Sequence, residues 1–241
     1  KPLSAQDTKA YLSAKNFYWS EEYGLIRVDS YEKRLLETIE SFDATLSRDL
    51  PLYLLLSLFN KQKYTNIELT EQLQKSLSEL KTPPLTNENE GPVFLRNYQL
   101  QGVNWLRHLL LHGCHPLLAD EMGLGKTLQA LALIQQLPQA NVPDLLVCPA
   151  SVIGTWEAQA RKFFPQIQIK HISEWSPNNH DFPTLFLSTY GLIRNFVQAT
   201  PDGNFRLAIL DEAQSIKNPD AQTTQACFSL KATYRLALTG T

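Results

Sequence analysis

Residues 116–128 read PLLADEMGLGKTL, a short apolar run that enters a loop with two glycines and leaves it through Lys126 and Thr127 into a helical pattern. These residue types at this spacing suit an anion. Gly123 and Gly125 let backbone N–H groups turn inward and approach a phosphate closely. The start of the following helix adds partial positive charge. Lys126 has the length to reach β- and γ-phosphates, and the Thr127 hydroxyl can ligate Mg2+. The strict G-x-x-x-x-G-K-[ST] spacing is not met, because Asp120 stands where the first glycine belongs. Taken alone, the loop can also be read as a glycine-rich strand-to-helix turn with a surface lysine.

A second group lies in FRLAILDEAQSIKN, residues 205–218. A strongly apolar strand ends there in Asp211 and Glu212. Two acids at the carboxyl end of a buried strand are costly unless they serve a cation or a reaction. Asp211 then belongs to the Mg2+ shell, and Glu212 orients and deprotonates an attacking water. Capping of the turn that follows is the plainer alternative, and the upstream phosphate loop argues against it.

Both groups must be placed by the elements around them. Apolar runs at 116–119, 145–148, 167–172, 185–188, 207–210 and 235–238 alternate with helical patterns at 127–137, 152–164 and 221–230. Strands apolar on both faces belong to a parallel sheet covered by helices on both sides. The expectation is an α/β domain with a central, mainly parallel sheet flanked by helices, and with ligands at the carboxyl ends of its strands. The segment TPPLTNENEG, residues 82–91, is rich in turn formers and divides the chain. Residues 1–90 form the smaller, mostly helical part, and residues 91–241 the α/β part. In the first part FYWSEEYGLIRV (17–28) reads as a β-hairpin. Leu35, Leu36, Ile39, Phe42 and Leu46 fall at helical spacing, Pro51 suits the first turn of another helix, and 69–80 is a third amphipathic stretch.

Composition bounds the function. With 43% hydrophobic and 19% charged residues in 241, the chain is neither a disordered tail nor a fibre. Its longest apolar stretch, Leu52 to Phe59, is too short to span a membrane. Cys114, Cys148 and Cys227 are far apart, which fits neither a zinc site nor a disulfide framework and suits a reducing, intracellular location. His108 and His112 share a helix face, but a metal there would want a third ligand, and a surface helix end is expected instead. The net charge of -2 gives no sign of a nucleic-acid binder. The start at Lys1 and the single methionine, Met122, lead to the expectation that this is a piece of a longer protein.

With both groups in hand, the sequence resembles the Swi/Snf family of superfamily 2 helicase-related ATPases. DEMGLGKT at 120–127 and DEAQ at 211–214 carry the resemblance, and an aspartate at position 120 is typical of that family. LRNYQLQGVNWL (95–106) is similar to its glutamine-containing adenine motif. LLVCPASVIGTWEAQARKF (145–163) is similar to motif Ia, LSTYGLIR (187–194) to motif Ib and LALTGT (236–241) to motif III. The resemblance spans Val93 to Thr241. It implies a RecA-like P-loop domain, the first of two ATPase lobes, with ATP and Mg2+ as cofactors and duplex DNA as partner. By the same resemblance Gln99 reads the adenine edge, and Gly123, Leu124, Gly125, Lys126, Thr127 and Asp211 hold the nucleotide and metal. Ser151, Ser188, Thr189 and Tyr190 touch DNA phosphates, and Thr239, Gly240 and Thr241 couple nucleotide to DNA. Trp105 and Trp156 are read as helix-on-sheet packing rather than base stacking.

The resemblance also implies a second lobe supplying an arginine to the transferred phosphoryl, so residues 1–241 alone are expected to bind DNA weakly and hydrolyse little ATP. The segment before the lobe loosely resembles bacterial members. Location follows as cytoplasmic, with the nucleoid, for a bacterial source, or nuclear for a eukaryotic one. A strand-separating helicase of the same superfamily and a non-catalytic docking module are the rival functions. The DEAQ tetrad and Asp120 favour the Swi/Snf reading over the first. The intact Lys126, Asp211 and Glu212 weigh against the second. Lys126→Ala is expected to abolish nucleotide binding measured by calorimetry; an unchanged affinity would rule out the phosphate loop.

Overall fold

The structure, a computed structural model, describes residues 94–177 and 183–240, together with Pro92, positions 71, 75 and 78–80, and the backbone of 17–20 and 24–27. The chain divides into two units, Lys1–Glu79 and Leu80–Thr241. In the first, β1 (Phe17–Ser20) pairs antiparallel with β2 (Gly24–Arg27), with Ser20 in register with Gly24. Glu71, Lys75, Ser78 and Glu79 are helical. The helices expected at 31–46 and from Pro51, and the dividing segment 82–91, lie outside the described residues.

In the second unit each of the six apolar runs becomes a strand: β3 (Leu117–Leu118), β4 (Asp144–Cys148), β5 (Gln168–His171), β6 (Thr184–Thr189), β7 (Asn204–Leu210) and β8 (Lys231–Leu238). They form one sheet among the described residues, ordered β3-β8-β7-β4-β6-β5, and every pairing is parallel. Parallel strands need crossovers. Four of the helices supply them: α2 (Lys126–Gln136), α3 (Ile153–Phe163), α4 (Tyr190–Ala199) and α5 (Gln222–Ser229), while α1 (Asn97–Leu111) precedes the sheet.

Alternation along the strands sorts the helices onto two faces. On β4, Leu146 and Cys148 join a core with Leu106 and Leu110 of α1, Leu131 and Ile134 of α2, and Trp156 and Ala160 of α3. Leu145 and Val147 point the other way, to Ile193 of α4 and Ala226 and Cys227 of α5. The central strands β4, β6 and β7 are therefore buried on both sides, which is why they read as nearly unbroken apolar runs, whereas the edge strand β5 is Gln-Ile-Lys-His. The helix α4 was not among the helical patterns of the sequence. Its apolar residues lie on one side only and its first turn is absorbed in a strand-like segment, LSTYG.

His108 departs from expectation. It is buried, not at a surface, with Nε2 3.1 Å from the Leu80 carbonyl and its ring stacked on Trp105 at 5.8 Å. Among the described residues no group of three or more His, Cys, Asp or Glu is arranged to hold a metal. No described helix is long and apolar enough to cross a membrane.

One polar cluster sits inside this apolar frame. Arg206, near the start of β7, is 2% exposed and Asp144, at the start of β4, is 0% exposed. The guanidinium donates Nε–H to Asp144 Oδ1 at 2.9 Å and a second N–H to Oδ2. Its remaining donors reach the carbonyls of Ile134 at 2.8 Å, Pro138 at 3.1 Å and Leu137 at 3.3 Å. Ile134 is in the last turn of α2, Leu137 is its C-cap and Pro138 follows, so the cation meets carbonyls left unpaired at the helix end and the negative end of the helix dipole. Burial raises the pKa of Asp144, and Arg206 and the Leu207 amide at 3.1 Å oppose the rise. Removing one partner of a buried pair leaves an uncompensated charge. Arg206→Met is expected to lower stability by about 3–5 kcal/mol in urea unfolding, and adding Asp144→Leu should restore much of it; a loss below about 1 kcal/mol would show the pair to be incidental.

Candidate nucleotide and metal site

The loops after β3, β4, β6, β7 and β8 all leave the same edge of the sheet, as parallel pairing requires. Leu118 is level with Leu238, and Leu210 with Ala237, so Asp120, Asp211 and Thr239 emerge side by side. The Thr239 amide donates to the Leu118 carbonyl at 3.1 Å, extending the pairing to the mouth of the loop.

In the loop, Gly123 and Gly125 have φ of +85° and +79°, the left-handed region that a side chain rarely occupies. A Cβ at Gly123 would meet nothing within 4 Å, so the space beside that residue is open. A Cβ at Gly125 would collide with the Gln99 amide nitrogen. Lys126 Nζ folds back to donate to the carbonyls of Asp120 at 2.7 Å and Glu121 at 3.0 Å. An ammonium thus spans the loop where an anion would lie. Asp120, the residue in place of the usual glycine, accepts from Gln129 Nε2 of α2 at 3.1 Å. That bond ties the loop entrance to the helix at its exit.

Gln99 is buried and both ends of its amide are used. Nε2 donates to the Leu124 carbonyl at 3.0 Å, and Oε1 accepts from the Arg96 N–H at 2.9 Å. Tyr98 donates its hydroxyl to the same Leu124 carbonyl at 3.2 Å. In this arrangement Gln99 braces the phosphate loop, and an adenine edge would have to displace one of these bonds.

Asp211 is held from two sides. Trp156 Nε1 donates to Oδ2 at 2.8 Å, and the Glu212 amide donates to Oδ1 at 2.9 Å. Burial is the main cause of its raised pKa, which these donors and Lys126 oppose and Glu212 adds to. Each oxygen keeps a lone pair for a cation. Together with the Thr127 hydroxyl in the first turn of α2, these are hard oxygen donors of the kind Mg2+ prefers, and the donor set fits that ion.

Glu212 has φ 52°, the only non-glycine in the left-handed region among the described residues. It heads a short 3₁₀ turn, Ala213–Ile216, and makes no side-chain capping bond itself, while Asp211 accepts the Glu212 amide at the head of that turn. Its carboxylate instead accepts from Gln214 Nε2 at 2.6 Å, and Gln214 Oε1 accepts from the Thr239 hydroxyl at 2.9 Å. The third coupling residue, Gly240, packs so near Lys126 that a Cβ there would lie 3.5 Å from Nζ. Thr241 is outside the described residues.

The four expected phosphate contacts separate. Ser151 is exposed. Ser188 is 1% exposed with its hydroxyl on the Thr189 carbonyl at 3.2 Å, so that side chain is not available to DNA here. The Thr189 hydroxyl caps α4 by accepting from the Leu192 amide at 3.2 Å. The Tyr190 hydroxyl donates to the Asp211 carbonyl at 2.8 Å, and burial pushes its pKa well above the ordinary tyrosine value. A polar side chain at a strand end serves the local backbone as readily as a ligand, and residue type alone does not distinguish the two.

The SNF2-related domain family matches residues 98–241. An uncharacterized ATP-dependent helicase of Mycoplasma pneumoniae is 35% identical over 165 residues, covering 65% of this chain and 16% of its own length. TATA-binding protein-associated factor mot1 of Schizosaccharomyces pombe is 31% identical over 218 residues, or 80% of this chain and 10% of its own length. The chain thus spans a fifth or less of these curated relatives. Among solved structures, the Sulfolobus solfataricus SWI2/SNF2 ATPase core in complex with dsDNA is 34% identical with a TM-score of 0.58, covering 65% of this chain and 34% of that one. The parallel sheet and its flanking helices are therefore those of a RecA-like lobe.

The left-handed Glu212 predicts a trade between stability and chemistry. A strained non-glycine backbone costs on the order of 1 kcal/mol. Glu212→Gly is expected to raise unfolding stability by about that amount; a variant less stable than the unsubstituted chain would show that the residue's contacts outweigh its strain.

Proposed function

The chain belongs to the SNF2-related family, and we propose that it is the nucleotide-binding lobe of a DNA-dependent ATPase that couples ATP hydrolysis to movement on duplex DNA and remodels DNA–protein complexes. The observation that carries this reading is the meeting, at one sheet edge, of an open glycine loop bearing Lys126 with the carboxylates of Asp211 and Glu212. A protein that only docked partners would have no use for a half-buried, twice-donated carboxylate or a strained glutamate at the mouth of such a loop.

In this reading the loop amides between Gly123 and Thr127 and the start of α2 hold the β-phosphate. Lys126 leaves the Asp120 and Glu121 carbonyls for the phosphate oxygens. Thr127 and Asp211 hold Mg2+, which when bound offsets charge on the β- and γ-oxygens. Glu212 orients a water and takes its proton as the water oxygen bonds to the γ-phosphorus and the bond to the β–γ bridging oxygen breaks, giving ADP and phosphate. Gln214 and Thr239 place Glu212 and connect it to the end of β8. A second lobe supplies the arginine that steadies the transferred phosphoryl, a contribution of ~10³ to 10⁵ in rate in related phosphoryl-transfer enzymes.

Duplex DNA as the track is supported by the Sulfolobus ATPase core, whose structure holds dsDNA. Contacts here fall to Ser151 and the exposed start of α4 at Gly191, positions that grip phosphates and read no bases. With 22 basic against 24 acidic residues, this chain alone neutralises few phosphates, so its binding to DNA is weak. An intracellular site of action accords with such a partner. In the complete protein, Glu212→Gln is expected to keep ATP binding and lower duplex-stimulated hydrolysis by at least about 100-fold, the size of a general-base contribution. Stimulation by RNA in place of duplex DNA would favour a helicase, and undiminished turnover would remove Glu212 as the base.

A further inference from the structure

The side chain that orients Asp211 belongs to neither motif of the nucleotide site. Trp156 lies on α3, 1% exposed among Leu146, Cys148, Ala160 and Phe164. Its one polar atom, the indole N–H, ends on Asp211 Oδ2 at 2.8 Å. A tryptophan has two side-chain torsions and here both are fixed by packing, so the donor is placed rigidly. Since the Glu212 amide holds the other oxygen, the carboxylate plane can face in one direction only. Five residues before Trp156, on the turn Ala150–Val152 that leads into the same helix, stands the exposed Ser151.

We propose that Trp156 is a positioning residue for the metal site: its indole N–H aims Asp211 at Mg2+. The inference rests on the nucleotide-site reading above and extends it to a side chain outside both motifs. Partners that orient metal ligands characteristically change metal affinity by 10- to 100-fold when removed. Packing alone makes a different prediction, since a shape-preserving replacement would then leave metal affinity unmoved.

The test replaces Trp156 by benzothienylalanine, which keeps the bicyclic shape and puts sulfur where the N–H was, and in a second variant makes Trp156→Phe. Binding of a fluorescent ADP analogue to the chain is followed as Mg2+ is titrated, with melting temperature measured in parallel and Lys126→Ala as control. Expected for both variants is a Mg2+ midpoint about 10-fold higher or more, with metal-free nucleotide affinity unchanged, and for the benzothienyl variant an unchanged melting temperature. A midpoint equal to that of the unsubstituted chain, while Lys126→Ala still abolishes binding, overturns the role of Trp156 and leaves the nucleotide site standing. Nucleotide binding that survives Lys126→Ala overturns the site reading itself, and the proposal with it.

Discussion

A guanidinium buried at the foot of the sheet fixes the geometry on which everything at the opposite edge depends. Arg206 binds Asp144 and three carbonyls at the end of α2, so the phosphate-loop helix, β4 and β7 are joined at one point without water. From there β7 runs five residues, roughly 16 Å at the usual rise per residue, to Asp211. The helix and the strand leave the same anchor, and their other ends carry Lys126 and the carboxylate pair. A rotation of α2 against the sheet would break the guanidinium's charge-assisted bonds to the Ile134, Leu137 and Pro138 carbonyls in a low-dielectric setting, and this cost holds the two chemical groups in register.

At the upper edge the polar groups are bound chiefly to one another. Gln99 and Tyr98 hold the Leu124 carbonyl, Gln129 holds Asp120, Trp156 holds Asp211 and Gln214 holds Glu212. Each bond joins a loop residue to a helix, a strand end or the adjoining turn. Flexible loops thereby acquire the placement of the packed elements beneath them, while the Lys126 ammonium spans the glycine turn. Thr239 closes this set by joining the end of β8 to Gln214, so nucleotide-side and sheet-side groups share one connected network.

Much of the fold was legible in the sequence, for a physical reason. Central strands covered on both faces must be largely apolar, and the runs at 145–148, 185–188 and 207–210 announced themselves by lacking charged residues. The phosphate loop was equally legible, because backbone geometry at Gly123 and Gly125 admits few other residues. What escaped was pairing at a distance. Arg206 stood out as one charge in the apolar run FRLAIL, and Asp144 as one acid before LLVC, but nothing in either local pattern says that they meet. Trp156 was taken as packing, which is true of its ring and silent about its N–H. The resemblance that assigns Ser188, Thr189 and Tyr190 to DNA says nothing of the local bonds their hydroxyls make to the backbone.

The account's central claim is that one metal-bound nucleotide sits between the Lys126 loop and the carboxylate pair. The most direct measurement is a crystal structure of the chain with ADP and Mn2+, the metal located by its anomalous scattering. The account predicts a single peak within direct or one-water reach of both the Thr127 hydroxyl and the Asp211 carboxylate, with the diphosphate on the amides of residues 123–127. A metal bound elsewhere, or a nucleotide that does not touch that loop, would contradict it.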